Sequence, residues 1–260
     1  MGLFGSKKNP EDLRYEAMAM MEKNQPKAAI SLFNKILKQN DSDSDALLNK
    51  GLALNQIKKY SDAITCFDKL LEIDPKNAQA LNNRGISMAE NGNIQEASEC
   101  YDRAIEADPK YAASYFNKGV LLDKLQEHEE ALIALEKAIS VDSRKPNAMV
   151  YRGIVLGKMK RHEEALNCFQ NICKKYPNNQ DAFFQKGVQL AELGRHEKAI
   201  DVFDEILKKY KDNVNVIYAK SRSCAAMERI PESMELLKQA ITKNPKIIRN
   251  WAKEEPIFTK

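Results

Sequence analysis

Residues 44–77 read SDALLNKGLALNQIKKYSDAITCFDKLLEIDPKN, and residues 78–111 read AQALNNRGISMAENGNIQEASECYDRAIEADPKY. Both segments carry glycine at the eighth place, alanine at the twentieth, an aromatic residue at the twenty-fourth and an Asp-Pro pair near the end. Agreement at so many places over a period of 34 residues indicates a repeat architecture, in which each repeat is one supersecondary unit. The stretch 44–111 therefore decides the fold class.

The same period continues along the chain in both directions. Small residues recur at Ala17, Gly51, Gly85, Gly119, Gly153, Gly187 and Ser221. A second series follows twelve residues later at Ala29, Ala63, Ala97, Ala131, Ala165, Ala199 and Ser233. A bulky series lies four residues further on at Phe33, Phe67, Tyr101, Leu135, Phe169, Phe203 and Leu237. The repeats are predicted at 10–43, 44–77, 78–111, 112–145, 146–179, 180–213 and 214–247, after an N-terminal tail at 1–9 and before a capping helix and tail at 248–260 that contains Trp251.

Each repeat is predicted to form two amphipathic helices joined by a tight polar turn. Within one period, apolar residues recur at helical spacing in two stretches of about fourteen residues. The small residue and the alanine are expected to mark the closest approach of the two helices, where a larger side chain would cost about 1–3 kcal/mol by overpacking. The bulky residue is expected to fill the space against the next repeat. Proline ends the second helix in four repeats, at Pro75, Pro109, Pro177 and Pro245.

This pattern resembles the tetratricopeptide repeat family. The small, alanine and aromatic series carry the resemblance together with endings such as Asp74-Pro75 and Asp108-Pro109, and it covers residues 10–247. It implies an all-α fold, a right-handed superhelical solenoid of seven antiparallel helix-turn-helix repeats whose first helices line a concave groove. The implied function is to bind a partner peptide or helix in that groove.

The groove-facing places of the family are the second, fifth, sixth, ninth and twelfth of each repeat. They give the candidate binding residues Asn49, Leu52, Asn82, Asn83, Ile86, Phe116, Asn117, Val120, Tyr151, Ile154, Phe184, Gln185, Val188 and Tyr218. Asparagine fills the sixth place in three consecutive repeats, and an amide can bond both the N–H and the C=O of an extended peptide. With helices about 8–10 Å apart and a rise of about 3.3 Å per peptide residue, one such amide meets about every third residue.

Some members of the family bind acidic C-terminal tails through a clamp of lysine, asparagine, asparagine, lysine and arginine. In the first register, the matching places of this chain hold Arg14, Met18, Asn49, Gln79 and Asn83, and the next register fits no better. Only the central asparagine matches. Because a terminal carboxylate would be desolvated there without a compensating charge, we disfavour a tail clamp.

A basic residue precedes each small residue from the second repeat onward, at Lys50, Arg84, Lys118, Arg152, Lys186 and Lys220. This row suggests an alternative function, an anion-binding or nucleic-acid-binding solenoid. The favoured interpretation is that each stem packs along its own hairpin while the head reaches an acidic residue on a second helix, such as Asp68, Asp102 or Asp204.

Histidine and cysteine also follow the repeat rather than a metal-site spacing. His128, His162 and His196 share one place, and neighbours one repeat apart are too distant to ligate one ion, so they are expected to replace tyrosine at the start of the second helix. A further place is shared by Cys66, Cys100 and Cys168, which are predicted to be small packing residues. No cofactor or metal is predicted.

Composition narrows the function further. The net charge is +4, no apolar run reaches membrane-spanning length, and the odd total of five cysteines fits a reducing cytoplasm. The start Met1-Gly2-Leu3-Phe4-Gly5-Ser6 fits a lipidation pattern, which we disfavour because one acyl chain binds membranes only marginally. No catalytic motif appears, and the repeats account for nearly the whole chain. We therefore predict a cytoplasmic, non-enzymatic scaffold or adaptor, with the partner protein and self-association left open.

Overall fold

The computed structural model describes residues 9–258, and within that range all regular secondary structure is helical. The described residues form fifteen α-helices and one short 3-10 helix, in agreement with the predicted all-α class. The chain divides into two compact units, residues 1–142 and residues 143–260. The N-terminal segment that fits a lipidation pattern lies outside the described residues.

The first unit consists of four helix pairs. Its helices are α1 (Pro10–Glu22), α2 (Pro26–Leu37), α3 (Ser44–Gln56), α4 (Tyr60–Ile73), α5 (Ala78–Glu90), α6 (Ile94–Ala107), α7 (Ala112–Lys124) and α8 (His128–Val141). The two helices of each pair pack against each other, and α2, α4 and α6 also pack against the first helix of the next pair. Stacking of this kind buries the apolar face that a lone hairpin would leave exposed.

The second unit contains three pairs and a terminal helix. Its elements are α9 (Pro146–Lys158), α10 (His162–Lys175), α11 (Gln180–Glu192), α12 (His196–Lys209), α13 (Val214–Ala226), α14 (Ile230–Lys243), α15 (Pro245–Glu254) and the 3-10 helix η1 (Pro256–Phe258). Helices α10 and α12 pack against the next first helix, as in the first unit. Helix α15 packs on α14, and the chain then returns so that η1 contacts α13.

The terminal helix begins three residues before the predicted boundary at 248. Pro245, predicted from the sequence to end the preceding helix, is instead the first residue of α15. Proline suits this place because the first N–H of a helix has no intrahelical partner to lose. The side chain of Asn244 accepts a hydrogen bond from the N–H of Ile247 and so caps the new helix.

Asparagine or aspartate at the last place of a repeat fixes where the next first helix starts. The side chain of Asp43 accepts a hydrogen bond of 2.9 Å from the N–H of Ala46, and Asn77 accepts one of 2.9 Å from Ala80. Asn9, Asn179 and Asn213 cap in the same way. Such caps stabilise a helix by about 1 kcal/mol because they satisfy an otherwise unpaired N–H. This series of Asn and Asp helix caps was not predicted from the sequence.

One residue in each turn between paired helices has a left-handed backbone. The positive-φ residues are Asn24, Lys58, Gly92, Gln126, Lys160, Gly194 and Glu228, all at the fifteenth place of the repeat. Beyond it the chain folds back on the first helix, as where the N–H of Lys59 donates to the carbonyl of Leu54 at 2.9 Å. The turn is therefore the same in every repeat, although only two of the seven residues are glycine.

Exchanging residues at two of these turns tests the cost of that backbone. Lys58 has φ 61° and Gly92 has φ 92°, and no atom lies within 4 Å of a Cβ added at Gly92. We expect Lys58→Gly to raise the free energy of unfolding by up to about 1 kcal/mol and Gly92→Ala to lower it by about 1 kcal/mol. Urea unfolding of the two variants measures both changes. Effects of equal sign would contradict the assignment.

The bulky residues lie at the centre of each repeat. All seven are at most 8% exposed, and four of the phenylalanines are fully buried. A Cβ added at Gly51 would lie 2.5 Å from Cε1 of Phe67, and one added at Gly153 would lie 2.6 Å from Cζ of Phe169. The expectation that these side chains mainly fill space against the next repeat is therefore incomplete, because each ring also occupies the place of the missing side chain within its own repeat.

Candidate functional site

The candidate binding residues of the first unit lie on a row of touching helices. Helix α3 contacts α5, and α5 contacts α7. We call the face formed by these candidate residues on the first helices of one unit its first-helix surface. Ser87 donates from Oγ to Oδ1 of Asn55 at 2.8 Å, which joins α5 to α3. Asn117 donates from Nδ2 to Oδ1 of Asn82 at 2.8 Å, which joins α7 to α5.

The asparagine amides of this surface are already partly engaged. Nδ2 of Asn49 donates to the carbonyl of Asp45 at 2.8 Å, and Nδ2 of Asn83 donates to the carbonyl of Gln79 at 2.8 Å. The amide that was expected to bond both groups of a peptide thus uses one N–H on its own helix. Among the described residues no hydrogen bond reaches Oδ1 of either side chain, so each amide keeps its carbonyl oxygen and the second N–H of Nδ2 available.

Asn82 differs from the sixth-place asparagines in the use of its amide oxygen. Asn82 is 3% exposed, and its Oδ1 accepts a hydrogen bond from Asn117. Its role is therefore to position the side chain of Asn117. Asn83 is 8% exposed, whereas Asn49 and Asn117 are half-buried. The accompanying apolar side chains are also half-buried: Leu52, Ile86, Phe116 and Val120. The first-helix surface of this unit is therefore mixed, with apolar side chains around a few amide oxygens.

In the second unit, α9 contacts α11 and α11 contacts α13. The candidates on α9 and α11 are half-buried: Tyr151, Ile154, Phe184, Gln185 and Val188. Tyr218 differs, because it is 6% exposed and lies under two aromatic side chains, with ring centroids 5.5 Å from Trp251 and 6.0 Å from Phe258. Burial, reinforced by the charge of Glu255, raises the pKa of Tyr218 to about 12.

A cavity of about 320 Å³ opens on this part of the second unit. Its walls include Val188 from the first-helix surface, Ala219 from α13, Ile257 from η1, and the polar side chains of His196 and Ser223. Ser223 is 1% exposed, and neither its Oγ nor Nδ1 of His196 has a hydrogen bond. Buried polar atoms are rarely left in this state, so the two atoms mark this wall as a place for a hydrogen-bonding group.

Three cations of the six-residue basic row pair with acidic side chains. Nε of Arg84 lies 2.6 Å from Oδ1 of Asp68, Lys118 pairs with Asp102, and Nζ of Lys220 lies 2.7 Å from Oδ1 of Asp204. The expectation that the heads reach these acids is confirmed. Each pair joins the second helix of one repeat to the first helix of the next, and two of these cations also contact their own hairpin, as expected: Nη1 of Arg84 donates to Sγ of Cys100 at 2.9 Å, and Nζ of Lys220 lies 3.5 Å from Oε1 of Glu232. The charges of these three cations are therefore largely neutralised and attract an anion less strongly.

The three histidines each begin a second helix, as expected, at α8, α10 and α12. Nδ1 of His162 lies 2.9 Å from Oε1 of Gln189 on the next first helix. His128 lies with Nδ1 3.1 Å from Oδ1 of Asp123, a carboxylate that is 1% exposed. Within residues 9–258 no three His, Cys, Asp or Glu side chains are grouped so that they could hold a metal ion.

Two of the three cysteines that share one repeat position are buried packing residues, as predicted, and the third, Cys168, is half-buried. Nη1 of Arg84 donates to Sγ of Cys100 at 2.9 Å, and burial raises the pKa of both Cys66 and Cys100. Burial also raises the pKa of Cys173 and Cys224.

Thiol titration tests this burial. A raised pKa leaves less thiolate at a given pH, so we expect Cys66, Cys100, Cys173 and Cys224 to react with Ellman's reagent at about pH 8 at least about tenfold more slowly than in the urea-unfolded chain. The unfolded chain, in which all five thiols are accessible, is the control. Equal rates in the folded and unfolded protein would contradict the packing role.

No helix within residues 9–258 combines the length and the apolar character needed to cross a membrane.

Comparison with known proteins identifies the repeat. Models described as "Tetratricopeptide repeat" match residues 82–148 and 152–214, and one described as "TPR repeat" matches residues 51–92. No match was found among curated protein sequences.

Solved structures with the same fold are numerous. A tetratricopeptide repeat protein from Parabacteroides merdae superposes with a TM-score of 0.71 at 16% identity, over 96% of this chain and 99% of the other. PilF of Pseudomonas aeruginosa gives a TM-score of 0.69 at 20% identity, over 83% of this chain and 99% of the other. YrrB, described as a TPR protein with an unusual peptide-binding site, gives 0.57 at 24% identity, over 73% of this chain and 98% of the other.

Proposed function

The chain belongs to the tetratricopeptide repeat family, and on that premise we propose that its first unit holds an extended partner peptide against the first-helix surface. The fold is one used for protein–protein interaction and is in general not enzymatic. A protein with this fold, YrrB, is described as having a peptide-binding site. The proposed role of the chain is that of an adaptor or scaffold, and its expected place of action is the cytoplasm.

The observation that carries the proposal is the orientation of the asparagine amides. Nδ2 of Asn49 and Nδ2 of Asn83 each donate a hydrogen bond to the backbone carbonyl four residues earlier. The oxygen of each amide therefore points away from its own helix. An oxygen fixed in this way accepts a hydrogen bond from a peptide N–H without a further loss of side-chain freedom. Half-buried apolar neighbours such as Leu52 and Ile86 exclude water around the bond.

Peptide display followed by an N-methyl scan tests this mechanism. Peptides selected on the protein from a random library are resynthesised with single backbone N-methyl groups, which remove one donor at a time. We expect about a tenfold loss of affinity, equivalent to about 1.4 kcal/mol, at each N–H that an asparagine oxygen accepts. In the Asn83→Ala/Asn117→Ala variant the same N-methyl groups should cause little further loss, because the acceptor is already absent.

The control variant is Asn34→Ala/Asn91→Ala, which removes two exposed asparagines outside the candidate set. Its N-methyl scan should match that of the unaltered protein. Circular dichroism of all variants establishes that the helices are retained. An N-methyl profile that is identical in the Asn83→Ala/Asn117→Ala variant and in the unaltered protein would show that the amides do not grip the peptide backbone.

A further inference from the structure

The segment Glu255–Phe258 lies on the first-helix surface of the second unit. After α15 the chain turns back and η1 packs against α13. The ring centroid of Phe258 is 6.0 Å from that of Tyr218, and Ile257 lines the cavity beside Val188 and Ala219. Two consecutive apolar side chains of the terminal segment therefore cover places at which a partner was expected.

An ion pair fixes the same segment at its other end. Nε of Arg222, on α13, lies 2.9 Å from Oε1 of Glu255, and Nη2 of the same guanidinium lies 3.6 Å from Oε1 of Glu192. The side chains of Arg222 and Glu255 are 36% and 26% exposed, so water screens this pair less than it would a fully exposed one. The carboxylate of Glu255 thus lies against Arg222, and the apolar side chains of Ile257 and Phe258 lie beside Val188 and Tyr218 respectively.

The terminal segment leaves part of the cavity unsatisfied. In the preceding repeat Nδ1 of His162 meets Oε1 of Gln189 at 2.9 Å. His196 and Ser223 hold the equivalent places one repeat later, but the serine is too short to span the gap, so both polar atoms lack a hydrogen bond. This wall therefore suits a hydrogen-bonding group that the segment Glu255–Phe258 does not supply.

We infer that this surface binds a partner peptide in which glutamate is followed two and three residues later by an aliphatic and an aromatic side chain, and that Glu255–Phe258 occupies the place until such a peptide displaces it. The inference rests on the proposed function in assuming that first-helix surfaces bind peptides. A partner that also carries a polar side chain next to this motif gains hydrogen bonds to Ser223 and His196 that the tethered segment does not make.

A tethered segment competes strongly with a free one. A short linker gives it an effective concentration on the order of millimolar, so a free peptide with the same contacts binds weakly until the tether is disabled. The probe is therefore a fluorescein-labelled peptide with the sequence of residues 252–260, AKEEPIFTK. Its affinity is measured by fluorescence anisotropy on the full chain and on a full-length variant, Ile257→Ser/Phe258→Ser.

We expect the Ile257→Ser/Phe258→Ser variant to bind the probe at least about tenfold more tightly than the unaltered chain. The matched control is Ile247→Ser, which changes a 44% exposed isoleucine on α15, and it should bind the probe as weakly as the unaltered chain. Fluorescence of Trp251, the one tryptophan in the sequence, checks that α15 stays folded in each protein. We call the Ile257→Ser/Phe258→Ser protein the opened variant. If it binds the probe no better than the Ile247→Ser control, the inference is wrong.

A second arm examines the ion pair. In the opened variant, Arg222→Gln should weaken probe binding about fivefold, and the probe AKEQPIFTK, which lacks the matching carboxylate, should show the same loss on the unchanged arginine. Combined, the two changes should cost little more than either alone, because they remove the same contact. Losses that simply add would indicate that the probe binds elsewhere.

The polar wall is tested with probes extended by one serine, asparagine or alanine at either end. The opened variant should prefer serine or asparagine over alanine at one of the two ends, and Ser223→Ala should abolish that preference. Equal affinity of all extended probes would remove the polar wall from the proposal.

Sedimentation of the unaltered chain distinguishes a partner from a second copy. A dimer that Ile257→Ser/Phe258→Ser dissociates would assign the terminal segment to exchange between two copies, and this would overturn the partner-peptide inference. The test is separate from that of the proposed function, because the N-methyl scan concerns asparagines of the first unit. Failure of the probe to bind leaves that scan unaffected, and failure of the scan leaves the probe experiment unaffected.

Discussion

Replacing Phe67 by alanine is expected to lower the free energy of unfolding by about 3–5 kcal/mol. The ring is fully buried in a cluster with Leu54, Ala63 and Cys66, and it also fills the space beside Gly51, where a Cβ would lie 2.5 Å from Cε1. Removing the ring creates a cavity that the neighbours cannot close, since glycine has no side chain to move into it. In a stacked array the loss also weakens the contacts with adjacent repeats.

Urea unfolding followed by far-UV circular dichroism measures this loss. The control is Ile133→Ala, which truncates a side chain on α8 that is 68% exposed and should change stability by less than about 0.5 kcal/mol. Hydrogen exchange adds the location, because amides of α3 and α4 should lose more protection than those of α7. A Phe67→Ala variant as stable as the Ile133→Ala control would contradict the central place given to the ring.

The opposite change, Gly153→Leu, is expected to destabilise the second unit by about 2 kcal/mol, the overpacking cost less the gain in helix propensity. Even a Cβ at this position would lie 2.6 Å from Cζ and 2.9 Å from Cε1 of Phe169, which is fully buried. A leucine therefore forces the ring or the helix to move, at a cost of at least about 1–3 kcal/mol. The gain of about 1 kcal/mol in helix propensity on replacing glycine does not offset a displaced aromatic ring.

Gly157 on the same helix provides a matched control. A Cβ there would meet only the end of the flexible Gln189 side chain, with Nε2 at 2.9 Å. Gly157→Ala should consequently change stability by less than about 1 kcal/mol, because helix propensity improves while the contact of Gln189 with His162 is disturbed. Thermal or urea unfolding of both variants gives the comparison. Equal destabilisation by Gly153→Leu and Gly157→Ala would show that the aromatic contact is not what limits the side chain.

The helices and their pairing could be predicted because the repeat restates them several times. Seven small residues at one spacing are difficult to explain unless the same hairpin recurs. The paired helices begin at the same places of every repeat and, apart from α2, end at the same places. The acidic partners of Arg84, Lys118 and Lys220 were also predictable, because charged heads at these places lie within reach of an acidic residue on a second helix.

The features that could not be predicted from the sequence depend on contacts that do not recur every 34 residues. The burial of Tyr218 results from Trp251 and Phe258, which lie outside the repeats and return to α13 by a turn that no repeat contains. The engagement of Asn83 with its own helix is equally hidden, since an amide suits a partner peptide and a local carbonyl alike. The cap series at Asp43 and Asn77 was visible in the sequence, but it lies at the repeat boundary, where the two-helix pattern gives no weight to a polar residue.

The ion pairs between hairpins bear on how such a chain can change its length. In each of the three joints the preceding hairpin contributes an aspartate and the following hairpin contributes a lysine or arginine. A hairpin that carries both the cation and the aspartate can form this ion pair with any hairpin of the same kind before or after it. Duplication or loss of a whole 34-residue segment among such hairpins would leave every remaining joint with one charge of each sign, whereas an insertion of any other length would separate them.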